Sequence, residues 1–586
     1  MDVLVVLASQ QGDVVTRDQL IDAVWAGRAT ADDAIAAKIA TLRNKLGDDS
    51  RHPDYIETVQ KRGYRLKMPV ELPGAPQPEQ RGAVYVRVSR PVLLAAFAAL
   101  AIAVIIWWLP TTKPIDSVAV LPFINLSDDK EKSQYVVDGF TVELINSLHR
   151  VPKLKIVQGP ELIKPNTPEL MIKEFGVDAI VTGSVRLYGD KIHITAQLVD
   201  AGNFRRWTHS IHGTADGVFS LQERVATEVR DEILGEKGEQ IRAPSRPAKP
   251  EAFDRYMRGI FFLRKRDVDS LKHAQVLFQE TIQIDPNFGP AYLRQAITYL
   301  LLADYNPAQR RQFFQQAIEV ANQGVQVDSS IRAPAAIIYG SVDHQLGNWA
   351  AAADAFATAF RGVTVYPTAY HWHARLLGDL GLLDRSLQQA LTALSMEPAS
   401  QILNSRVAIA YLWINDIPNA RHYFEAANDM GVGAPEHHFA YSMFLIRDNR
   451  LEDARARMKV GLELAQSDDW WVDPVIDALA HPGNQEMRDI AFEAVEKMIA
   501  DGVSPFITMT VWALFGEADR VMEIAMQVAE SEPGTLYELE IIYLDEFKVL
   551  REHQNFPALL QALGLTDYWD SIGCRWSDDQ VHCDAA

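Results

Sequence analysis

Residues 347–356 read GNWAAAADAF, and the same plan returns at 381–390 (GLLDRSLQQA), 415–424 (NDIPNARHYF) and 449–458 (NRLEDARARM). Each stretch opens on a residue that tolerates a left-handed turn: Gly347, Gly381, Asn415 and Asn449, at intervals of 34 residues. Five residues further on stands a small side chain (Ala352, Ser386, Ala420, Ala454), and nine further on a packing residue (Phe356, Ala390, Phe424, Met458). The small residue lets the second helix of a unit press against the first, and the later one fills the gap beside it. Such a period marks helix pairs stacked into a solenoid. Weaker copies lie at Ala274-x-x-x-Phe278 before Asp285-Pro286, around Ala317 and Ala321, and at Gly516, Val521, Ala525 and Pro533. The pattern predicts six or seven helix pairs over 250–540. Their extended concave face suits a protein or small-molecule ligand.

The 34-residue unit is the tetratricopeptide pattern. Tyr366, Tyr370, His371, Trp372, His373, Trp413, His437, His438, Tyr441, Trp470 and Trp471 gather in this region, either as a ligand cleft or, the weightier reading, as packing between helices. His371 and His373 do not share a helical face, so they make a poor metal pair. Residues 541–586 read as a cap and tail; FPALLQALGLTDYWDSIG resembles the endings of similar repeat proteins. That tail holds both cysteines of the chain, Cys574 and Cys583, as a possible disulfide or as two free thiols.

Ahead of the solenoid, residues 115–237 alternate strand and helix signals and then show a hairpin. Ser117 to Pro122 is a buried-strand run, Tyr135 to Leu148 is helical, and Ala179 to Arg186 and Ile192 to Leu198 flank a turn at Tyr188-Gly189-Asp190-Lys191. This predicts an α/β domain with a mixed sheet. AVLPFINLSDD, YVVDGFTVELINSLHRV and VDAIVTGSVRLYGDKIHITAQLVDA resemble a domain that precedes tetratricopeptide repeats and is similar to the N-terminal domain of TolB. Relatives also occur with adenylyl cyclases. His193, His209 and His212 lie on or near strands with no metal-ligand spacing, and no glycine loop suited to phosphate is present, so neither metal nor cofactor is expected.

Between Pro91 and Pro110 lie eighteen residues, Val92 to Leu109, without a charge. At about 1.5 Å per residue they span most of a hydrocarbon core of roughly 30 Å. Trp107 and Trp108 sit at one end, and Arg81, Arg87 and Arg90 precede the run. The expectation is a single transmembrane helix at 91–110, the N-terminus cytoplasmic and the C-terminal domains periplasmic, as in a bacterial inner-membrane protein. Residues 70–90, proline-rich at their start, read as a linker.

Residues 1–69 show a helix from Thr16 to Trp25, a second from Asp32 or Asp33 to Leu46 with Ile35, Ile39, Leu42 and Leu46 inward, and a hairpin whose turn, Gln60-Lys61-Arg62-Gly63, is basic. Helix, loop, basic-faced helix and basic hairpin form a winged helix-turn-helix for double-stranded DNA. VVTRDQLIDAVW, DDAIAAKIATLRNKLGDD and YIETVQKRGYRL resemble the OmpR/PhoB-type winged-helix domain of ToxR- and CadC-like membrane-anchored regulators. Members of that family begin with a small sheet that is missing here, so either the start is placed too late or the domain is truncated. Lys38, Thr41, Arg43, Asn44 and Lys45 on the second helix, with Lys61, Arg62 and Arg65 on the hairpin, are the candidate DNA contacts.

The charges are unevenly divided. The chain has 57 Lys and Arg against 77 Asp and Glu; the first ninety residues hold thirteen against twelve, leaving 44 against 65 beyond them. The acidic remainder will not bind nucleic acid through bulk charge. No catalytic signature appears, so the multidomain chain is expected to be no enzyme but a one-component transmembrane regulator. Its outer domains would sense a signal, and it would act as a homodimer. The alternative is a membrane-anchored repeat scaffold for envelope assembly with a relic DNA-binding domain.

Overall fold

The computed structural model describes residues 2–10, 12–25, 32–59, 62–68, 115–149, 151, 154–159, 168–200, 205–214, 218–234, 247–361, 367–431, 433–530 and 539–584. The chain divides into two compact units, Met1–Thr111 and Thr112–Ala586. One expectation is corrected at once. No helix among the described residues is long and apolar enough to cross a membrane, and the run at 91–110 lies outside them. The transmembrane helix, the inner-membrane and periplasmic placement and the membrane as a partner are withdrawn on that finding.

In the first unit, α1 (Asp2–Ser9), β1 (Val15–Thr16), α2 (Arg17–Trp25), α3 (Asp32–Leu46), β2 (Ile56–Val59) and β3 (Gly63–Leu66) follow in order. Thr16 and Gln19 cap α2 reciprocally: the Thr16 N–H donates to Gln19 Oε1 at 2.8 Å and the Gln19 N–H to Thr16 Oγ1 at 3.3 Å. The three strands form an antiparallel sheet in the order β1-β3-β2. Val15–Thr16 is the strand the sequence does not announce, being two residues long. It approaches β3 so closely that a Cβ on Gly63 would stand 2.0 Å from the Val15 carbonyl oxygen. Val3, Leu7, Leu20, Ile35, Ile39, Ile56, Tyr64 and Leu66 close the core between helices and sheet.

The second unit begins with a mixed sheet: β4 (Ser117–Val120), β5 (Ile124–Asn125), β6 (Lys155–Gln158), β7 (Ala179–Tyr188), β8 (Lys191–Asp200) and β9 (Arg205–Thr214), interleaved with α4 (Lys130–Leu148), α5 (Pro168–Phe175) and α6 (Val218–Leu234). The order is β6-β4-β7-β8-β9, with β5 beside β7. β4 runs parallel to β6 and β7, and β7-β8-β9 is an antiparallel meander. Val118 and Val120 join the core on the α4 and α6 face, whereas Ala119 and Leu121 join Met171 and Ile172 of α5. Burial on both faces explains why β4 reads as an unbroken apolar run.

Eight helix pairs follow among the described residues, against the six or seven expected: α7 (Pro250–Lys265) with α8 (Val268–Ile284), α9 (Gly289–Tyr305) with α10 (Arg310–Val327), α11 (Arg332–Gln345) with α12 (Trp349–Phe360), α13 (Pro367–Asp379) with α14 (Leu383–Met396), α15 (Gln401–Trp413) with α16 (Ile417–Met430), α17 (Pro435–Arg447) with α18 (Leu451–Leu464), α19 (Val472–Ala480) with α20 (Gln485–Ala500), and α21 (Pro505–Leu514) with α22 (Ala518–Glu530). Gly347, Gly381, Asn415 and Asn449 all have φ between 57° and 74°, which is why glycine or asparagine recurs at the turn inside each pair. Ala352, Ser386, Ala420 and Ala454 are buried behind them, as are Phe356, Ala390, Phe424 and Met458. The α/β domain is joined to the first pair: Tyr135 Oη donates to Asp254 Oδ1 at 2.6 Å, and Tyr256 Oη to Glu143 Oε1 at 3.2 Å.

After α22 the chain turns back on the solenoid. Short 3-10 turns at Leu539–Tyr543 and Asp545–Phe547 lead into α23 (Lys548–Arg551), α24 (Phe556–Ala562), α25 (Leu565–Ser571) and the hairpin β10 (Cys574–Ser577) and β11 (Gln580–Cys583). Trp569 Nε1 donates to Leu380 O, and Trp349 Nε1 to Leu563 O, both at 2.9 Å. The hairpin places Cys574 opposite Cys583 and a disulfide joins them. Trp576 packs within the hairpin's reach of Trp569, Phe556 and Tyr543. A loop of this length gives a cross-link worth about 2–3 kcal/mol in the chain-entropy account. Cys583→Ser should therefore lower the melting temperature of the second unit under non-reducing conditions and remove its response to dithiothreitol, as calorimetry would show.

Candidate nucleic-acid interface

Helix α3 and the β2–β3 hairpin carry the predicted DNA contacts, and the fold sorts them. Ile35 and Ile39 are buried, with Leu42 and Leu46 packed beside them. The 3.6-residue period then turns Ala37, Ala40, Thr41 and Asn44 away from the core, flanked on one side by Lys38 and Lys45. All six side chains are exposed. The outward strip is small and polar with a cationic edge, a shape that fits against base edges while lysines meet phosphate. Thr41 Oγ1 donates to the Ala37 carbonyl at 2.8 Å, which leaves its oxygen lone pairs outward.

Arg43 stands apart from that strip. Its side chain is only 13% exposed, and Nη2 donates both to Ile56 O and to Thr58 Oγ1 at 2.9 Å, binding α3 to β2. Asp48 completes the clamp. Its buried carboxylate accepts the N–H groups of Asp54 at 2.6 Å, Tyr55 at 3.1 Å and Ile56 at 2.8 Å, with Arg43 Nε 4.0 Å away. Burial pushes the Asp48 carboxyl up, but the Ile56, Tyr55 and Asp54 N–H groups and Arg43 outweigh it and hold it below its usual value. The stability this contributes is complete above the ordinary aspartate pKa of about 3.9 and is lost as pH falls through the lowered one. Acid unfolding of the first unit should accordingly set in below about pH 4, and Asp48→Asn should flatten that limb of a circular-dichroism titration.

On the hairpin, Arg65 pairs with Glu57 across the strands at 2.6 Å, Arg62 is exposed at the turn, and Lys61 lies outside the described residues. Sequence reasoning passes over Asp48 because an acidic residue carries no weight in a search for phosphate contacts. Its signal is its place, directly after a helix end, where an Asx side chain can bind following backbone.

The aromatic and histidine group of the solenoid is placed mostly in the core. Trp372, Trp413, His437, His438, Tyr441 and Trp471 are buried; Tyr441 stacks on Phe424 with centroids 4.9 Å apart. His437 Nδ1 lies 3.0 Å from Ser405 Oγ, and burial pushes its pKa down to about 3. Tyr366 lies outside the described residues.

Comparison with known proteins bears on the first unit most directly. Residues 1–66 match the family described as "Transcriptional regulatory protein, C terminal". The chain is similar to "Transcriptional activator CadC" of Escherichia coli (strain K12), 44% identical over 71 residues, which are 12% of this chain and 14% of that protein. It is also similar to "Putative adenylate cyclase 3" of Rhizobium meliloti (strain 1021), 28% identical over 224 residues, 36% of this chain and 38% of that one. Among solved structures it is similar to that of MamA, at 23% identity, covering 28% of this chain and 92% of that one with a TM-score of 0.21. The chain thus spans well under two thirds of the length of these two curated relatives. Residues 1–66 are a transcriptional-regulator DNA-binding domain, homologous to those of ToxR- and CadC-type activators.

Proposed function

We propose that the chain is a one-component regulator of transcription, binding promoter DNA through α3 and the hairpin while the second unit receives the controlling signal. One observation carries the reading: in a domain that matches transcriptional regulators, α3 turns Ala37, Thr41 and Asn44 outward beside Lys38 and Lys45, with Arg62 exposed on the hairpin. Most of the second unit is a helical repeat solenoid, an architecture whose usual work is binding a partner. The active form is a homodimer, because two winged helices held together bind paired half-sites at raised effective concentration.

Genome-wide mapping of DNA bound by the full chain in its own cells tests this, beside Lys38→Ala/Lys45→Ala. Discrete peaks that vanish in the variant are expected; no peaks from the intact protein would overturn the reading. In solution, Lys45→Ala should weaken binding about equally across sequences and lower the slope of log K against log salt by about one. An unchanged slope would take Lys45 off the phosphate backbone.

A further inference from the structure

The side chains that α3 turns outward narrow the DNA it can read. Arginine on guanine is the commonest specific contact in the major groove, and α3 contains one arginine, Arg43. That guanidinium is turned inward, its Nη2 donating to Ile56 O and Thr58 Oγ1 at 2.9 Å. What the helix presents instead is Ala37, Ala40, Thr41 and Asn44, all exposed. Lys38 and Lys45 stand on one flank of this strip, where a helix seated in the groove meets phosphate.

Helical geometry sets the scale of what the strip covers. Ala37 and Asn44 are two turns apart and lie in the middle of the outward face, opposite the buried Ile35 and Ile39. They are separated by about 10 Å along the axis, which is about three base-pair steps of roughly 3.4 Å. Ala40 and Thr41 occupy the turn between them.

Each of these side chains has a narrow range of base partners. The Asn44 amide carries an acceptor and a donor side by side and, among the described residues, engages no hydrogen bond. Adenine answers it with the N6 donor and the N7 acceptor, whereas guanine presents two acceptors and would set its O6 against the amide oxygen. Ala37 and Ala40 offer methyl groups alone, which suit the C5-methyl group of thymine. Thr41 spends its hydroxyl hydrogen on the Ala37 carbonyl at 2.8 Å. Toward DNA it can therefore only accept, from the exocyclic amine of adenine or cytosine. None of the four is a bidentate partner for guanine.

We infer that α3 selects a half-site whose core of about three or four base pairs is A·T. Asn44 reads base identity there, its amide on N6 and N7 of an adenine, and Ala37 and Ala40 lie against thymine methyl groups. This rests on the reading of the chain as a DNA-binding regulator and adds the class of sequence that it selects.

The test is selection by the full chain from random duplex DNA. The enriched motif should have an A·T core, and Asn44→Ala should lose about tenfold of the preference at one adenine while keeping the others. A duplex with 7-deazaadenine at that position lacks only the N7 acceptor. It should bind the parent about tenfold more weakly than the unmodified duplex does, and Asn44→Ala should not distinguish the two. Uracil in place of the core thymines, which deletes only their methyl groups, should also weaken the parent. A melting temperature equal to the parent's certifies the variant as folded; if it fails that check, Asn44→Asp, of the same shape without the donor, takes its place. A G·C core would overturn the inference and leave the regulator standing. So would a 7-deazaadenine effect of equal size in parent and variant, and unchanged binding with uracil would remove the alanines from the thymine methyls. No enriched sequence at all would also overturn the inference, and absent peaks from the intact protein in cells would then take the regulator reading with it.

Discussion

Glu540→Ala is expected to destabilise the second unit by about 3–5 kcal/mol, the cost of leaving one member of a buried ion pair alone. Arg406 and Glu540 are 4% and 7% exposed, and 134 residues separate them in the chain. With the carboxylate gone, the guanidinium keeps, among the described residues, the Ser386 hydroxyl at 3.3 Å, and its Nε has no partner among them. The Asp379 carboxylate would still accept the residue-540 N–H, so the backbone of the segment 539–547 has a reason to stay while its charge balance is lost. Chemical unfolding of the full chain, followed by far-ultraviolet circular dichroism, would read this as a fall in the midpoint of the transition belonging to the repeats. Arg406→Met should cost a similar amount. The double variant Arg406→Met/Glu540→Leu should cost much less than the sum, because apolar residues of like volume replace a charged pair at little net cost. Simple additivity would mean that the two side chains do not act as a unit, and the segment would then be held by its apolar residues alone. Those are substantial: Leu539, Ile541, Ile542, Tyr543, Leu544 and Phe547 are all buried.

That segment marks where sequence reading stops. The repeats are legible because a left-handed turn demands glycine or asparagine and a close helix crossing demands a small residue, and both demands recur at one period. The pair formed by α19 and α20 escapes for the same reason. Gly483 continues the 34-residue series, but five residues on stands Arg488, and the buried pair is Ala491 and Val495 three positions later. The shift removes the coincidence that makes a repeat visible. LEIIYLDEF, by contrast, has no period at all, and a boundary drawn at residue 540 cuts through it. What organises it is Arg406, Arg447 and Asp379, each about a hundred residues or more away. Pairings of that range leave no trace in local composition.

The DNA-binding face shows the same divide at closer range. Three sequence blocks announce the winged helix, yet they cannot say which basic residue of α3 looks outward. An arginine meeting phosphate and one meeting backbone thirteen residues on are the same letter. The structure assigns Arg43 to the second role, and the consequence is measurable. Arg43→Ala removes two charge-assisted hydrogen bonds to β2 and strips the Asp48 carboxylate of its cation. At the low end of about 1.5–3 kcal/mol for each hydrogen bond to a charged group, the two together cost the first unit about 3 kcal/mol. For a domain of this size that lowers the melting temperature by about 10–20 °C. DNA affinity should fall with it, since the hairpin is no longer held at its angle to α3. The salt dependence separates this from a lost contact. A phosphate-binding arginine would take about one unit off the slope of log K against log salt, as Lys45 should, whereas a positioning arginine leaves the slope of the surviving folded fraction unchanged. Thr58→Val, which deletes one of the two acceptors while leaving every charge in place, should reproduce part of the fall in melting temperature and none of any slope change. A full unit lost from the slope in Arg43→Ala, with the melting temperature intact, would return Arg43 to the DNA.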